Sequence, residues 1–230
     1  MVKTYYITTP IYYPTGKPHI GHVYTNVLSD VLARWHKLLG EEVFFTTGTD
    51  EHGQKVEEYA KKAKVTPKEY TDKTVIPFKK ILKLYNISND KFVRTTDKAH
   101  KKHCQEILQK VYDKGDIYKG KYEGWYCVAC ETYYLERDLK DKKCPMHGKA
   151  VKWYEEESYF FKMSKYQKKV EDYIKKNNYI VPKSRQNFLL GRMSEGVKDL
   201  SISRSSIKWG VPLPFDKKHV AYVWFDALLN

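Results

Sequence analysis

Two histidines three residues apart, in Pro18-His19-Ile20-Gly21-His22, are the first place in this chain where residue type and spacing could do chemistry. On the opening turn of a helix both imidazoles reach the same side and can face one anion. A helix N-terminus also offers unpaired N–H groups and about half a positive charge, which suits phosphate. Gly21 lets a flat ring or a phosphate approach the backbone. Without a helix behind them, the pair would be surface histidines beside a turn. A second cluster, Gly48-Thr49-Asp50-Glu51-His52-Gly53, sets three polar or ionisable side chains between glycines. It suits the ammonium or hydroxyls of a small substrate, and equally an exposed polar turn. It begins like a Gly-x4-Gly-Lys phosphate loop, but Gln54 takes the Lys place and Val56 follows Lys55 where Ser or Thr is required. No Gly-x-Gly-x-x-Gly occurs either, so a dinucleotide site is unsupported.

The third cluster is Cys127-Val128-Ala129-Cys130 and, after thirteen residues, Cys144-Pro145-Met146-His147. Each knuckle can aim two ligands at one centre, and Cys₃His at such spacing is a structural zinc pattern with all four positions filled by protein. Disulfide pairing is the alternative; a reducing compartment counts against it, and Cys104 would be left odd. His100 and His103 lie three apart on a Lys-rich helix without a third ligand nearby in sequence, which reads as a solvated face. Cys104 reads as a small core residue.

These clusters need elements to place them. Thr4-Tyr5-Tyr6-Ile7-Thr8-Thr9 is β-branched and aromatic, hence strand-like from the first residues Met1 and Val2 onward. Pro10, Pro14, Gly16 and Pro18 make a loop. Val23, Val27, Val31, Trp35 and Leu38 then recur at helical spacing, and Gly40 stops the helix. Val43 to Thr47 is a second strand, so strand, helix and strand form a βαβ unit with a parallel sheet. The histidines therefore lie at the carboxyl end of the first strand, where such sheets bind ligands, with the Asp50 loop beside them. A helix follows over about 54–63, and Thr66-Pro67-Lys68-Glu69 is a capping box opening another towards Tyr85. Phe92 to Thr95 reads as strand and Asp97 to Lys114 as helix, ended by Gly115. Beyond it the pattern turns to short strands and knuckles. A basic helix spans Ser164 to Lys176 with Val170, Tyr173 and Ile174 inward, and Ala221 to Phe225 reads as an apolar strand.

Composition bounds the partners. The chain has 230 residues, 41% hydrophobic and 15% aromatic, and a net charge of +14. That is enough for a core in one or two domains and argues against a disordered polymer. No apolar run approaches the roughly 18 residues of a membrane span, and the N-terminus lacks a secretory layout, so a cytoplasmic protein is expected. Between Lys140 and Arg185 thirteen Lys/Arg face six Asp/Glu. This reads as a lysine-biased solvated surface or as a seat for a polyanion such as nucleic acid.

Taken together, the motifs resemble the methionyl-tRNA synthetases, class I aminoacyl-tRNA synthetases, along the whole chain. The resemblance rests on Thr9-Pro-Ile-Tyr-Tyr-Pro14, His19-Ile-Gly-His22, Thr47 to Gly53, the zinc knuckle, Ser158 to Phe161, Asp199 to Arg204, Trp209-Gly-Val-Pro212 and Tyr222 to Ala227. The His-Ile-Gly-His element marks only the class; the combination points to methionine over leucine, isoleucine, valine or cysteine. The resemblance implies an α/β Rossmann-like catalytic fold interrupted by a connective insert. Residues 1–114 would form its first half, 115–218 the insert with the zinc knuckle at about 122–152, and 219–230 the start of the returning half. It implies activation of methionine by ATP with Mg²⁺ and transfer to tRNA(Met). His19 and His22 would be catalytic and contact ATP phosphates, with Thr9, Pro10 and Gly21 also at the ATP. Asp50 would hold the ammonium and Arg204 would support activation. Ile11, Tyr13, Trp224 and Ala227 would line the methionine pocket. Cys127, Cys130, Cys144 and His147 would hold one structural zinc. The class needs a second signature, a Lys-Met-Ser-Lys loop. Lys162-Met163-Ser164-Lys165 spells it, but lies inside the insert and reads as a decoy. The true loop and the anticodon-binding region would belong to a C-terminal remainder or a second chain, and this chain alone would be weak or inactive. The rival readings are an inactive zinc-knuckle RNA-binding fragment and another class I synthetase.

Overall fold

A computed structural model describes residues 3–130, 132–134, 136–139, 141–177 and 179–230, so Met1 and Val2 lie outside the described residues. Strand β1 (Thr4–Thr8) leads through the proline-rich loop to α1 (Ile20–Leu38) and then β2 (Glu42–Thr49). Helices α2 (Gln54–Lys62) and α3 (Pro67–Leu84), strand β3 (Lys91–Arg94) and helix α4 (Lys98–Asp113) follow. The sheet is parallel in the order β1-β2-β3, with Thr8 opposite Thr46 and Thr49 opposite Arg94. All three carboxyl ends therefore meet at one edge. The capping box expected at Thr66 is present: its hydroxyl accepts from Glu69 N–H, and the Glu69 carboxylate accepts from Thr66 N–H.

Four expectations need correction. Of the stripe on α1, only Val23 is buried; Val31 is 57% and Leu38 81% exposed, with Val27 and Trp35 also exposed. The packed side of α1 carries Asn26, Ser29, Asp30 and Ala33. It is seated by hydrogen bonds, since Asp30 Oδ1 accepts from Ser88 N–H at 2.7 Å and from its hydroxyl at 2.6 Å. On α4, His103 is exposed, whereas His100 is buried on the same i, i+4, i+8 stripe as Cys104 and Leu108. Its ring nitrogen has a carboxylate partner, which a reading of the helix alone could not supply.

The second sheet is antiparallel and four-stranded, β5-β4-β6-β7, made of β4 (Ile117–Cys127), β5 (Thr132–Tyr134), β6 (Lys152–Phe161) and β7 (Leu200–Ser201). Between β6 and β7 lie a short 3₁₀ turn (Met163–Tyr166), α5 (Gln167–Lys176) and α6 (Lys183–Ser194). The third correction falls on α5. Only Ile174 is buried, while Val170 and Tyr173 face solvent and the Tyr173 hydroxyl pairs with that of Tyr179. The Lys162–Lys165 stretch is spent on local staples. Lys162 Nζ donates to Gly115 O at 2.7 Å, Ser164 Oγ to Asp199 at 2.6 Å and Lys165 Nζ to Asp116 at 2.6 Å. Strands β8 (Ser203–Arg204) and β9 (Val220–Ala221) pair antiparallel and lead into α7 (Val223–Ala227).

The apolar run at 221–225 is thus mostly helix, not strand. Val223, Asp226 and Ala227 turn inward at i, i+3 and i+4, and Trp224 turns out at 50% exposure. One core cluster joins the parts: Cys104 and Leu108 of α4, Ile117 and Tyr159 of the second sheet, Val211 and Leu213, and Ala221. The β2–β3 pairing has no room at Gly48, where an added Cβ would lie 2.1 Å from the backbone oxygen of Val93. Gly48→Ala should therefore cost about 3 kcal/mol or more in urea unfolding. An unchanged midpoint would contradict this strand pairing.

Candidate functional site

The loop after β1 is zipped onto β2. Thr9 N–H donates to Thr46 O, Tyr12 N–H to Gly48 O, and Asp50 N–H to Tyr12 O at 2.9 Å. Buried Thr9 shares a 2.7 Å hydrogen bond between its hydroxyl and that of Thr47. This brings Thr9 to Tyr13 alongside Asp50, at the edge where all three strands end. Ile11 and Tyr13 are half-buried there, Pro10 is exposed, and Lys55 Nζ lies 5.9 Å from the Tyr13 ring centre.

His19 is the N-cap of α1, and the two histidines cap the helix reciprocally. His19 Nδ1 accepts from Gly21 N–H at 3.1 Å, and His22 Nδ1 accepts from His19 N–H at 3.1 Å. The rings stack with centres 3.8 Å apart. An accepting Nδ1 carries no proton, so the neutral rings are both held as the Nε2–H tautomer. Two N–H donors thus stand at the mouth of α1, whose backbone N–H groups at Gly21, His22 and Val23 are taken up by His19. Burial and then the neighbouring His19 push the His22 pKa below its ordinary value, which favours this neutral form. Tyr12 packs edge-on to His22 at 4.6 Å, and its hydroxyl accepts from Asn26 Nδ2 at 3.0 Å, so the ring is held from the side as well. A Cβ on Gly21 would sit 3.0 Å from the His19 ring, so any larger residue would make the capping ring shift by a few tenths of an ångström.

The Asp50 loop is buried: Asp50 is 5%, Glu51 0% and His52 1% exposed, which removes the reading as an exposed polar turn. Glu51 anchors it. Its carboxylate accepts from Arg94 Nε at 2.7 Å and Nη2 at 2.9 Å, from Thr49 Oγ at 2.7 Å and from Thr96 Oγ at 2.5 Å. Its backbone N–H donates to Thr95 Oγ at 2.9 Å, and its carbonyl accepts from Trp209 Nε1 at 2.6 Å. The Trp209 to Pro212 motif is thereby clamped onto the loop. Arg204 is buried in β8 rather than free at a pocket wall. Its Nη1 donates to Ser201 Oγ at 2.8 Å and Ser203 O at 2.7 Å, and its guanidinium lies 4.4 Å from the Tyr222 ring centre. Of the two residues expected on α7, Ala227 is buried and Trp224 is half exposed.

Cys127, Cys130, Cys144 and His147 converge, with all four ligand atoms within 4.8 Å of one another. Cys130 and Cys144 sulfurs are 3.7 Å apart, and Cys144 Sγ is 3.6 Å from His147 Nδ1. Tetrahedral zinc with Zn–S of about 2.3 Å and Zn–N of about 2.0–2.1 Å requires roughly 3.8 and 3.6 Å for those edges. The donor set fits. All four cysteines are free thiols, which removes the disulfide alternative. Burial opposes ionisation of Cys144, yet hydrogen bonds from Tyr134, His147 and the backbone bring its thiol down to about 6. Sequence reasoning grouped Glu51 and His52 with Asp50 without partners, read His100 as solvated and passed over Arg94 and Asp226, because each pairs with a residue at least 43 positions away.

The family model of the tRNA synthetases class I (M) matches residues 5–150 and 135–230. The methionine–tRNA ligase of Clostridium tetani is 53% identical over 230 residues, covering 99% of this chain and 36% of that protein. The ligase of Streptomyces coelicolor is 49% identical over 238 residues, covering 99% and 44%. Among solved structures, Mycobacterium tuberculosis methionyl-tRNA synthetase in complex with methionyl-adenylate superposes with a TM-score of 0.96 and 40% identity over 100% of this chain and 46% of that one. The apo form superposes with a TM-score of 0.82 and 36% identity, covering 100% and 45%. The chain thus spans 36% to 46% of the length of these relatives.

The reciprocal cap generates a direct test. His19→Ala should cost about 1 kcal/mol in urea unfolding, and His19→Asn, a good N-cap residue, much less. Because the folded pKa of His22 is depressed, its contribution is complete above about 6.5 and is lost as pH falls through the folded value. The stability gap between the native chain and His22→Ala should narrow over that range; a constant gap would show that Nδ1 is not an acceptor.

Proposed function

The chain belongs to the class I tRNA synthetases (M), and from that premise we propose that it carries the ATP- and methionine-handling part of a methionine–tRNA ligase. The observation that supports this best is the stacked His19–His22 pair at a helix mouth, beside the buried Asp50 loop at the carboxyl end of a parallel sheet. In the reaction the methionine carboxylate attacks the α-phosphorus of ATP in line, an O–P bond forms and pyrophosphate leaves. Negative charge spreads over the phosphoryl oxygens, so catalysis is mainly positioning and electrostatic stabilisation. The Nε2–H groups of His19 and His22 donate to phosphate oxygens, and Thr9, Pro10 and Gly21 border the nucleotide. Mg²⁺ comes with the ATP. Asp50 pairs with the substrate ammonium. Ile11, Tyr13, Trp224 and Ala227 wall the thioether, whose sulfur–ring contacts contribute roughly 0.3–1.5 kcal/mol. Arg204 supports that wall from behind, through Tyr222 next to α7. Asp50 serves any amino acid alike, so selectivity comes from the wall.

The methionyl group then passes to the 3′ end of tRNA(Met). Residues 1–114 are the first catalytic half, 115–218 the insert and 219–230 the start of the returning half, in a protein of the cytoplasm. The Lys-Met-Ser-Lys loop and anticodon-binding region lie in the remainder that the longer relatives possess, on the same or a second chain. One zinc held by Cys127, Cys130, Cys144 and His147 ties the knuckle together and takes no part in the chemistry, since protein fills all four positions.

Methionine-dependent ATP–pyrophosphate exchange tests the reading. The complete protein should exchange and this chain alone weakly or not at all. Removing either His19 or His22 by alanine should cost about 10²–10³ in rate, as for one oxyanion donor. Undiminished exchange in the double variant would sink it, and tRNA binding without exchange by the complete protein would favour the RNA-binding module instead. For the metal, purified protein should hold about one zinc per chain. Cys144→Ser or chelation should lower the melting temperature of the insert; a metal-free protein with unchanged melting would remove the site.

A further inference from the structure

Asp226 stands outside the residues assigned above, is completely buried, and has both oxygens engaged. Oδ2 lies 2.5 Å from His52 Nδ1, and Oδ1 lies 2.6 Å from His100 Nε2. Burial opposes its charge, but the hydrogen bonds from the two histidines more than offset this and hold the carboxyl below its usual range. Both rings therefore donate to a carboxylate. Three elements meet at this one group: the loop after β2, helix α4 and helix α7. His52 is two residues beyond Asp50, while Trp224 and Ala227 flank Asp226 itself. Helix α7 has five residues, too few to hold its own place, so the contacts of its buried side must fix it.

We propose that Asp226 is a positioning residue: through His52 and His100 it sets the spacing between Asp50 and the Trp224–Ala227 wall, and with it the length of side chain the site accepts. This rests on the reading of Asp50 and that wall as the two ends of the methionine site. A metal ion does not account for the cluster. His100 Nε2 and Asp226 Oδ1 are at hydrogen-bond distance, whereas two ligands of one tetrahedral zinc would sit roughly 3.3 Å apart. Cys104, whose sulfur is 3.7 Å from Oδ1, stays a thiol, its pKa raised by burial and by the Asp226 charge.

The test is exchange kinetics in the complete protein with methionine and ATP varied separately. Asp226→Ala and His100→Leu should raise KM for methionine roughly 10- to 100-fold, the range for a lost hydrogen bond to a charged group, and leave KM for ATP unchanged. Both should weaken the preference for methionine over its analogue one methylene longer. His100→Gln, whose amide nitrogen falls where Nε2 was, should recover most of the loss. If Asp226→Ala does not fold, Asp226→Asn keeps the shape, loses one acceptor and should move the same constant. Equal rises for ATP and methionine, a Gln variant no better than Leu, or a second bound zinc lost in Cys104→Ser would each overturn the proposal. A native protein without methionine-dependent exchange removes the functional reading and this inference together; native exchange with an unmoved methionine KM in the variants removes this inference alone.

Discussion

A carboxylate withdrawn from water must find its donors inside the protein, and the carboxyl edge of the first sheet is organised around Glu51, which does so completely. Its two oxygens take a bidentate arginine from the end of β3 and threonine hydroxyls from the end of β2 and from two residues past β3. Removing one partner of such a buried pair leaves an uncompensated charge and costs about 3–5 kcal/mol. That penalty makes the loop from Asp50 to His52 a rigid part of the sheet edge rather than a flexible turn. Trp209 then latches to the Glu51 carbonyl, so the segment between β8 and β9 registers on the same anchor.

The insert does not stand apart from the sheet it interrupts. Cys104 and Leu108 of α4 share a core with Ile117, Tyr159 and Ile202, so the base of the insert is continuous with the first half. Its tip differs. There the buried core among the described residues is Cys127, Cys144 and Val151, with a few half-buried neighbours, a small apolar surface for defining one conformation. Cys127, Cys130, Cys144 and His147 converge there, and the zinc proposed for them is the kind of staple that so small a core requires.

Helix α1 is seated on the first sheet by its polar side: Asn26, Ser29 and Asp30 pack inward, and its apolar stripe is uncovered in a chain that spans 36% to 46% of the length of its relatives. The inward side carries hydrogen bonds that brace the site: Asn26 Nδ2 donates to the His22 carbonyl at 2.8 Å, and Asp30 fastens the helix to Ser88. The helix is thus oriented by what its first turn must present, two histidines at the sheet edge.

Local chemistry was legible in the sequence wherever a motif is closed within a few residues. The βαβ order, the capping box at Thr66, the helix start at His19 and the Cys₃His knuckles all depend on neighbours in the chain, and short-range geometry decides them. What needed the fold was everything defined by a partner far away. His100 read as solvated because Asp226 lies 126 residues on. The run at 221–225 read as strand because apolar residues alone do not separate a short strand from a helix that must turn Asp226 inward. The reciprocal use of His19 and His22 as caps was hidden too, since spacing places two rings on one side but does not say which nitrogen faces the backbone. Residue type and spacing thus determined which chemistry the chain holds; only tertiary packing decided how groups such as Glu51, His100 and Asp226 are oriented, because burial and long-range donors, not sequence neighbours, set those free energies.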